Sequence, residues 1–411
     1  MKTVAVIGGG AAGLMAAGQA ALAGARAILF EKNDRLGKKL VITGKGRCNV
    51  TNDADLQTLI KNIPGNGQFL YSAMTRFGST ATQDFFTDLG VQLKVERGNR
   101  VFPASDRSFD IIDAFKKFLN EQGVELRLRS SIERVIAPNG SVTGLVTGGS
   151  EIPVDAVILC TGGASYPVTG STGDGYRMAR LLGHHVVDPR PSLVPLECTE
   201  EWPKSLQGLA LKNVTLTLFQ DGKELGSEFG EMLFTHFGIT GPIVLSLSRL
   251  VTHRLSDKPI VAGINLKPAL TVEQLDKRLQ RDFAQNIRRQ FKNALDELLP
   301  KRLISIVINE SGIDPEKPVN QITKDERAEL IRALTELSMT ICSTRPLSEA
   351  IVTAGGVDVK EINPKTMESK LVKGLYFAGE VMDVDGYTGG FNLQAAFATG
   401  FVAGRSAAEW S

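Results

Sequence analysis

The opening stretch MKTVAVIGGGAAGLMAAGQAALAGARAILFE restricts what this chain can fold into more than any other part of it. Val4, Ala5, Val6 and Ile7 form a short apolar run suited to a buried parallel strand. Gly8, Gly10 and Gly13 follow at G-x-G-x-x-G spacing. In that setting the first glycine permits a tight turn, the second lets a pyrophosphate approach the backbone, and the third lets the following helix pack closely on the sheet. The spacing predicts that helix over residues 11–23, with free N–H groups at its start facing phosphate. Residues 27–30 read as the second strand. Glu31 then stands where a carboxylate accepts hydrogen bonds from a ribose 2′-OH and repels a 2′-phosphate. The expected ligand is an ADP-containing dinucleotide. Lys2 and the apolar run would also suit a secretory signal, but Gln19 and the repeated glycines argue against that and against a membrane span.

With 411 residues the chain is long enough for two or three domains. A net charge of +2 provides no global field for nucleic acid or an anionic membrane, so any such contact must be local. Cys48, Cys160, Cys198 and Cys342 lie far apart, with no C-x-x-C pair and no histidine cluster nearby. This spacing predicts reduced thiols, a cytoplasmic protein and no metal site.

Directly after Glu31, KNDRLGKKLVITGKGRCNVTN carries Lys32, Arg35, Lys38, Lys39, Lys45 and Arg47 against Asp34 alone. A basic loop beside a dinucleotide fold can wrap phosphates, and Gly44, Gly46 and Asn49 add backbone freedom and amide donors. Amphipathic helices are expected over 82–89 and 109–120, with an extended ribbon at KVERGNRVFPAS between them. Strands follow over 125–136 and 142–146 around an Asn139-Gly140 turn. Residues 156–160 read as a further buried strand ending at Thr161, Gly162 and Gly163, a second close backbone approach to a ligand. A helix over 175–182 comes next, with Asp174 as its cap.

The pattern changes near RPSLVPLE, which reads as a crossover. Residues 206–261 look mostly like strands, and helices are expected over 272–298 and 324–338. The first of these places Arg278, Arg281, Arg288 and Lys292 off its apolar side, either as a local RNA contact or as an ordinary solvated face. A buried strand returns at 375–378, exits through Gly379 and Glu380, and Gly389 and Gly390 open a small-residue helix running to about residue 404. The fold class is therefore α/β: a discontinuous Rossmann-type domain, 1–190 and 345–411, with a parallel sheet and an antiparallel ribbon. Residues 191–344 form an insertion, with strands over 206–262 and helices over 270–340.

A nicotinamide dehydrogenase has no need of a C-terminal glycine-opened helix returning to the same sheet, whereas a flavin does use one. Reduced flavin carries negative charge at its N1/C2=O edge, and helix N–H groups there stabilise it by about 0.3 to 2 kcal/mol. For a two-electron couple that corresponds to roughly 6 to 40 mV.

Four stretches, GGGAAGL, EKNDRLGKKLVITGKGRCNVTN, LFTHFGITGP and GLYFAGEVMDVDGYTGGFNLQAAFATG, together resemble the YhiN/BaiN-type FAD-dependent oxidoreductases, the group that includes the RdsA-type ribosomal RNA dihydrouridine synthases. The resemblance spans nearly the whole chain. Lys45 departs from the family's usual glycine in this loop. The resemblance implies FAD on the Rossmann domain and an inserted, barrel-like domain of strands and helices capping the flavin. The candidate cofactor residues are Gly8, Gly10, Ala12, Gly13, Glu31, Lys32, Lys39, Gly44, Gly46, Arg47, Cys48, Asn49, Val135, Thr161, Gly162, Gly163, Gly379, Glu380, Gly390, Phe391, Asn392 and Leu393. No second G-x-G-x-x-G follows a strand, so NAD(P)H is expected only as a transient electron donor.

Activities implied by the resemblance are reduction of an rRNA uracil to dihydrouridine, reduction of bile-acid enones, and oxidation of a small aminoketone. A further alternative is a non-catalytic RNA- or ribosome-binding flavoprotein. The first two activities share one chemistry, a hydride from flavin N5 to an electron-poor C=C carbon and a proton to its neighbour. Cys48 is one candidate donor, because a thiol of pKa about 8.5 stays protonated at neutral pH and Arg47 and Lys45 should lower that value. It could equally be a small residue packed beside the cofactor. His236 and Tyr387 are the other candidates.

Overall fold

The structure is a computed structural model that describes residues 1–252, 254–255 and 258–409, so His253 lies outside the described residues. Its contacts divide the chain into two compact units, Met1–Ser192 with Leu347–Ser411, and Leu193–Pro346.

In the first unit, five parallel strands lie in the order Leu375–Phe377, Ala156–Leu159, Thr3–Ile7, Arg26–Phe30, Glu125–Arg127. Apolar residues fill the first strand because it is covered on both faces, and Val4, Ala5 and Val6 have no exposed surface. Helix Ala11–Leu22 follows it, and the last helix, Phe391–Glu409, packs against that helix. Their closeness depends on glycine. A Cβ on Gly400 would lie 2.4 Å from the Ala12 carbonyl oxygen, and one on Gly404 would lie 2.3 Å from that of Ala16. Backbone thus meets backbone between these helices, where larger side chains would hold the axes about 8–10 Å apart.

Smaller sheets complete this unit. Ile132–Ile136, Gly144–Thr147 and Ser150–Pro153 make an antiparallel ribbon. Leu93–Glu96 and Arg100–Pro103 form the expected hairpin, and Thr51–Asn52 pairs with its second strand. Val186–Ser192 pairs antiparallel with Val352–Val357, so the segments on either side of the second unit meet in one sheet.

The second unit is built on a closed six-stranded antiparallel barrel, in the order Leu196–Cys198, Gly238–Thr240, Lys223–Phe234, Ala210–Gln220, Ile260–Asn265, Leu337–Thr344. Alternation fills it: Leu216, Leu218, Ala262 and Ile264 are fully buried. Helices Val272–Gln285, Lys301–Ser311 and Lys324–Thr335 accompany it, and Thr271 and Thr323 each close a capping box with Gln274 and Glu326.

Several expectations fail in detail. The loop after Glu31 contains a helix, Lys38–Gly46, interrupted where Gly44 and Lys45 take left-handed backbone angles. Helix Pro242–Thr252 lies inside the stretch expected to be strands. The helix expected over 272–298 stops at Gln285, where Asn286 leaves helical geometry, and a separate helix begins at Lys301. The helix expected to reach residue 338 ends at Thr335, because Leu337–Thr344 is a barrel strand. Glu125–Arg127 is an edge of the main sheet rather than part of the ribbon. Asp174 is the first residue of its helix, not the cap, which is Gly173.

Candidate functional site in the first unit

The three fingerprint glycines are glycine for different reasons. Gly8 has φ +108°, and a Cβ there would lie 2.5 Å from the Cys160 carbonyl oxygen. A Cβ on Gly13 would lie 1.8 Å from the Gly8 oxygen, inside the protein's own turn. Gly10 is unlike both. Its backbone angles, φ −87° and ψ −171°, suit any residue, and a Cβ there would meet nothing within 4 Å. It caps the first helix without a side-chain acceptor, and no acidic residue stands in the first turn. The helix therefore presents its N-terminal N–H groups, and its positive dipole end, beside open space.

Glu31 is buried at the end of the second strand. Its Oε2 accepts from Gly9 N at 2.7 Å, and its Oε1 accepts from Asn33 N and Asn33 Nδ2, each at 2.7 Å. The carboxylate is thus fixed against the glycine turn, with acceptor capacity to spare. Ala12 is buried beneath the same turn, against Gly379.

A second group forms where the outer parallel strands end. Glu380 Oε2 accepts from Lys39 Nζ at 2.8 Å, while its Oε1 accepts from Thr353 N at 2.7 Å and Ser165 Oγ at 3.2 Å. Lys39 also donates to Ser165 Oγ at 2.7 Å. Thr353 Oγ1 accepts from Ala164 N and Ser165 N at 2.9 and 3.1 Å, holding the loop that follows Thr161, Gly162 and Gly163. Ser165 and Thr353 were missed in the sequence, since only the fold brings TGGAS beside VTAGG. Lys32 is tied elsewhere, donating to Asp174 Oδ2 at 2.6 Å and Thr172 Oγ1 at 2.5 Å.

Within the RCN-x-TN segment, Asn49, Thr51 and Asn52 bond to the start of the last helix, whereas Arg47 turns away from it. Arg47 pairs with Glu96 at 2.8 Å and Asp106 at 3.1 Å and lies over the Phe102 ring. Cys48 has no exposed surface. Burial pushes its thiol up to about 12, and Arg47 and Lys45 do not lower it as expected. The expectation counted charges close in sequence, but Arg47 is spent on acidic partners and the thiol is desolvated. With its amide oriented to satisfy both ends, Asn49 accepts from Gly390 N at 2.9 Å and donates to the Thr51 and Val101 carbonyls. Asn52 Nδ2 donates to the Gly389 oxygen at 2.9 Å. A Cβ on Gly390, φ +100°, would lie 2.4 Å from the Thr51 carbonyl oxygen.

Gly44 has φ +57° and Gly46 φ +84°, and a Cβ on Gly46 would meet nothing within 4 Å. Asn392 folds the preceding loop back, accepting from Gly386 N at 2.7 Å and donating to the Gly386 oxygen at 2.8 Å. Phe391 is buried, whereas Leu393 and Tyr387 are half-buried against the core. Asp383 accepts from Asn66 Nδ2 at 3.0 Å and Gly355 N at 3.1 Å, and burial raises its carboxyl above the usual range. Val135 lies apart from these turns in sequence, buried in the antiparallel ribbon opposite Leu145.

His236 belongs to the second unit. It is exposed in the turn between barrel strands Lys223–Phe234 and Gly238–Thr240, edge-on to Phe237 at 5.0 Å. A Cβ on Gly238 would lie 2.5 Å from the Leu196 oxygen, so the THFG block has a structural reason for its glycine. The four basic residues do not form one helical stripe: Arg278 and Arg281 sit on helix Val272–Gln285 beside Asp282, and Lys292 pairs with Glu316 beyond it. Arg288 also lies beyond the end of that helix.

Residues 2–406 match the family model described as the HI0933-like protein Rossmann domain. The chain belongs to the HI0933-like family. It is 32% identical over 414 residues, all of both chains, to a 3-dehydro-bile acid delta(4,6)-reductase of Clostridium scindens. It is also 32% identical over 402 residues, 96% of each chain, to a ribosomal RNA dihydrouridine synthase of Haemophilus influenzae. Among solved structures, the 3-ketosteroid-delta4-(5alpha)-dehydrogenase of Rhodococcus jostii shares the fold, with a TM-score of 0.54 and 16% identity over 99% of this chain and 96% of the other. This HI0933-like chain is an enzyme of a flavin-dependent oxidoreductase family. At the start of its first helix, which has no side-chain cap, a Cβ on Gly10 would meet nothing within 4 Å, so the residues present leave room there for a ligand phosphate. Among the described residues, no group of three or more His, Cys, Asp or Glu is placed to hold a metal, and no helix is long and apolar enough to cross a membrane.

Proposed function

We propose that this chain is an FAD-dependent reductase that takes electrons from NAD(P)H and saturates an activated C=C bond, with a uracil of large-subunit rRNA as its leading substrate. The observation that carries the reading is Gly10, a glycine that neither the backbone nor any neighbouring atom requires, placed at an uncapped helix N-terminus. A ligand phosphate would require it. The N–H groups after Gly10 would hold the pyrophosphate, and Glu31 the adenosine ribose. Lys39 and Glu380 stand at the exit of the outer strand, and the Gly389–Gly390 turn presents the last helix. Bound FAD would supply the hydride to the electron-poor carbon.

Two relatives support the reaction class. The names delta(4,6)-reductase and dihydrouridine synthase both describe two-electron saturation of a C=C bond next to a carbonyl system. The small-molecule relative matches over its full length, which favours an enone as the second reading. For the proton, Cys48 is buried with its thiol held protonated, which suits packing beside the turn rather than transfer. His236 and Tyr387 are the donors we carry forward.

The test is anaerobic. Purified protein should show bound FAD that NADH or NADPH bleaches. The reduced protein should then be reoxidised by rRNA lacking dihydrouridine, with dihydrouridine appearing in the RNA. Reoxidation by a Δ4,6 enone steroid alone would select the second reading, and protein without flavin would refute both.

A further inference from the structure

The last helix is held at its start by side chains that sit more than 300 positions away in sequence. Gln394, in its first turn, is fully buried. Its Oε1 accepts from Thr51 Oγ1 at 2.6 Å and Thr82 Oγ1 at 2.9 Å, and its Nε2 donates to the Phe77 carbonyl at 2.8 Å. Thr51 and Thr82 also have no exposed surface. About one helical turn earlier, Asn49 accepts from the Gly390 N–H and Asn52 donates to the Gly389 carbonyl. Gly390 lies directly on the Thr51 backbone, with no room for a Cβ.

Burying four polar side chains, Thr51, Asn52, Thr82 and Gln394, for one turn is costly unless each is satisfied, and each of these is; Asn49, half-buried, joins them. A Leu or Met at 394 would fill the same space without a network. What the network adds is direction. It fixes the turn at a carbonyl, at an N–H and at a side chain, so the helix cannot slide or tilt without breaking bonds in a dry interior. A helix dipole acts on a charge only within about its first turn, and small displacements there change its effect.

We propose that Thr51 and Gln394, with Asn49 and Thr82, are positioning residues that fix the N-terminus of the last helix and thereby set how readily the bound flavin is reduced. This rests on the FAD reading above. Asn49 holds the backbone at Gly390 directly, Thr51 and Thr82 act through the Gln394 side chain, and none of the four is assigned to the chemistry.

The experiment compares Thr51→Val, which keeps shape and loses the hydroxyl, with Thr51→Ser, which keeps the hydroxyl, and with Gln394→Met. Amide hydrogen exchange over residues 389–393 is measured on protein stripped of cofactor, and the fraction of reduced flavin at a fixed dye poise on loaded protein. T51V and Q394M should exchange at least tenfold faster in this segment. Their reduced-to-oxidised ratio should fall three- to tenfold, about 14 to 30 mV for a two-electron couple, with T51S close to wild type. Leu119→Ala, in a fully buried position on helix Ser108–Glu121, should lose thermal stability and leave the ratio unchanged. Unchanged exchange in T51V overturns the clamp. Faster exchange with an unchanged ratio, or an equal change of ratio in L119A, overturns the redox role. Wild-type protein that takes up no flavin overturns the cofactor reading and the redox role with it, while the exchange data still decide the clamp.

Discussion

Replacing Gly10 and Gly13 by alanine separates a glycine needed by a ligand from one needed by the fold. At Gly10, φ is −87° and a Cβ meets no atom within 4 Å. Two small terms oppose each other there. Alanine lowers the entropy of the unfolded chain, a gain of about 0.4–1 kcal/mol, and it is a poorer N-cap than glycine by up to about 1 kcal/mol. The cofactor-free protein should therefore keep its stability to within about 1 kcal/mol, while FAD affinity should fall at least 100-fold, about 2.7 kcal/mol. At Gly13 the added Cβ would lie 1.8 Å from the Gly8 oxygen, about 1.5 Å short of the usual C···O contact of about 3.3 Å. The buried helix would have to move, at a cost of about 3 kcal/mol or more. Urea unfolding of cofactor-free protein and fluorescence titration with FAD measure both quantities. A Gly10→Ala protein of full FAD affinity would refute the ligand argument, and one that unfolds as readily as Gly13→Ala would show that the space is not open.

Glu31→Ala should weaken FAD retention and also cost about 1–3 kcal/mol of stability, because the Gly9 and Asn33 N–H groups lose their acceptor; unchanged flavin content in the purified variant would refute its ribose role. The Cys48 thiol, raised by burial from 9.0 to about 12, holds its proton more tightly folded than unfolded. Its contribution is complete below about pH 9 and is lost as pH rises toward 12, at ~1.4 kcal/mol per pH unit. Cys48→Ala should flatten that alkaline loss in urea unfolding and leave turnover at pH 7 within about twofold, whereas loss of turnover with an intact fold would restore Cys48 as the donor. His236→Ala and Tyr387→Phe should divide the proton role: the variant lacking the donor should lose about 100-fold or more in flavin reoxidation by substrate while its reduction by NAD(P)H is unchanged. Equal retention of reoxidation by both would exclude both.

What the sequence revealed was what local chemistry alone can require. The strand, glycine turn, helix and second strand of the first residues need no knowledge of the rest of the chain, and they form where the sequence places them. Helix Pro242–Thr252 was hidden because its neighbours are barrel strands and PIVLSLSRLVT offers β-branched residues at its start. The break after Gln285 was hidden because Phe283, Ile287, Phe291 and Leu295 continue the helical spacing, although Ile287 is half exposed. The state of Cys48 was not legible at all. Desolvation is a property of the packed chain, and the flanking charges pointed the wrong way. The RCN-x-TN segment was recognisable as a motif, but its bonding to Gly389, Gly390 and Gln394 spans most of the chain and leaves no pattern in sequence.

The most direct test of the central claim is mass-spectrometric mapping of dihydrouridine in large-subunit rRNA from a strain deleted for this gene, with and without complementation. The account predicts that a single dihydrouridine disappears on deletion, returns with the wild-type gene, and does not return with a Gly10→Val variant that no longer retains FAD. A map identical in all strains would contradict rRNA uracil as the substrate.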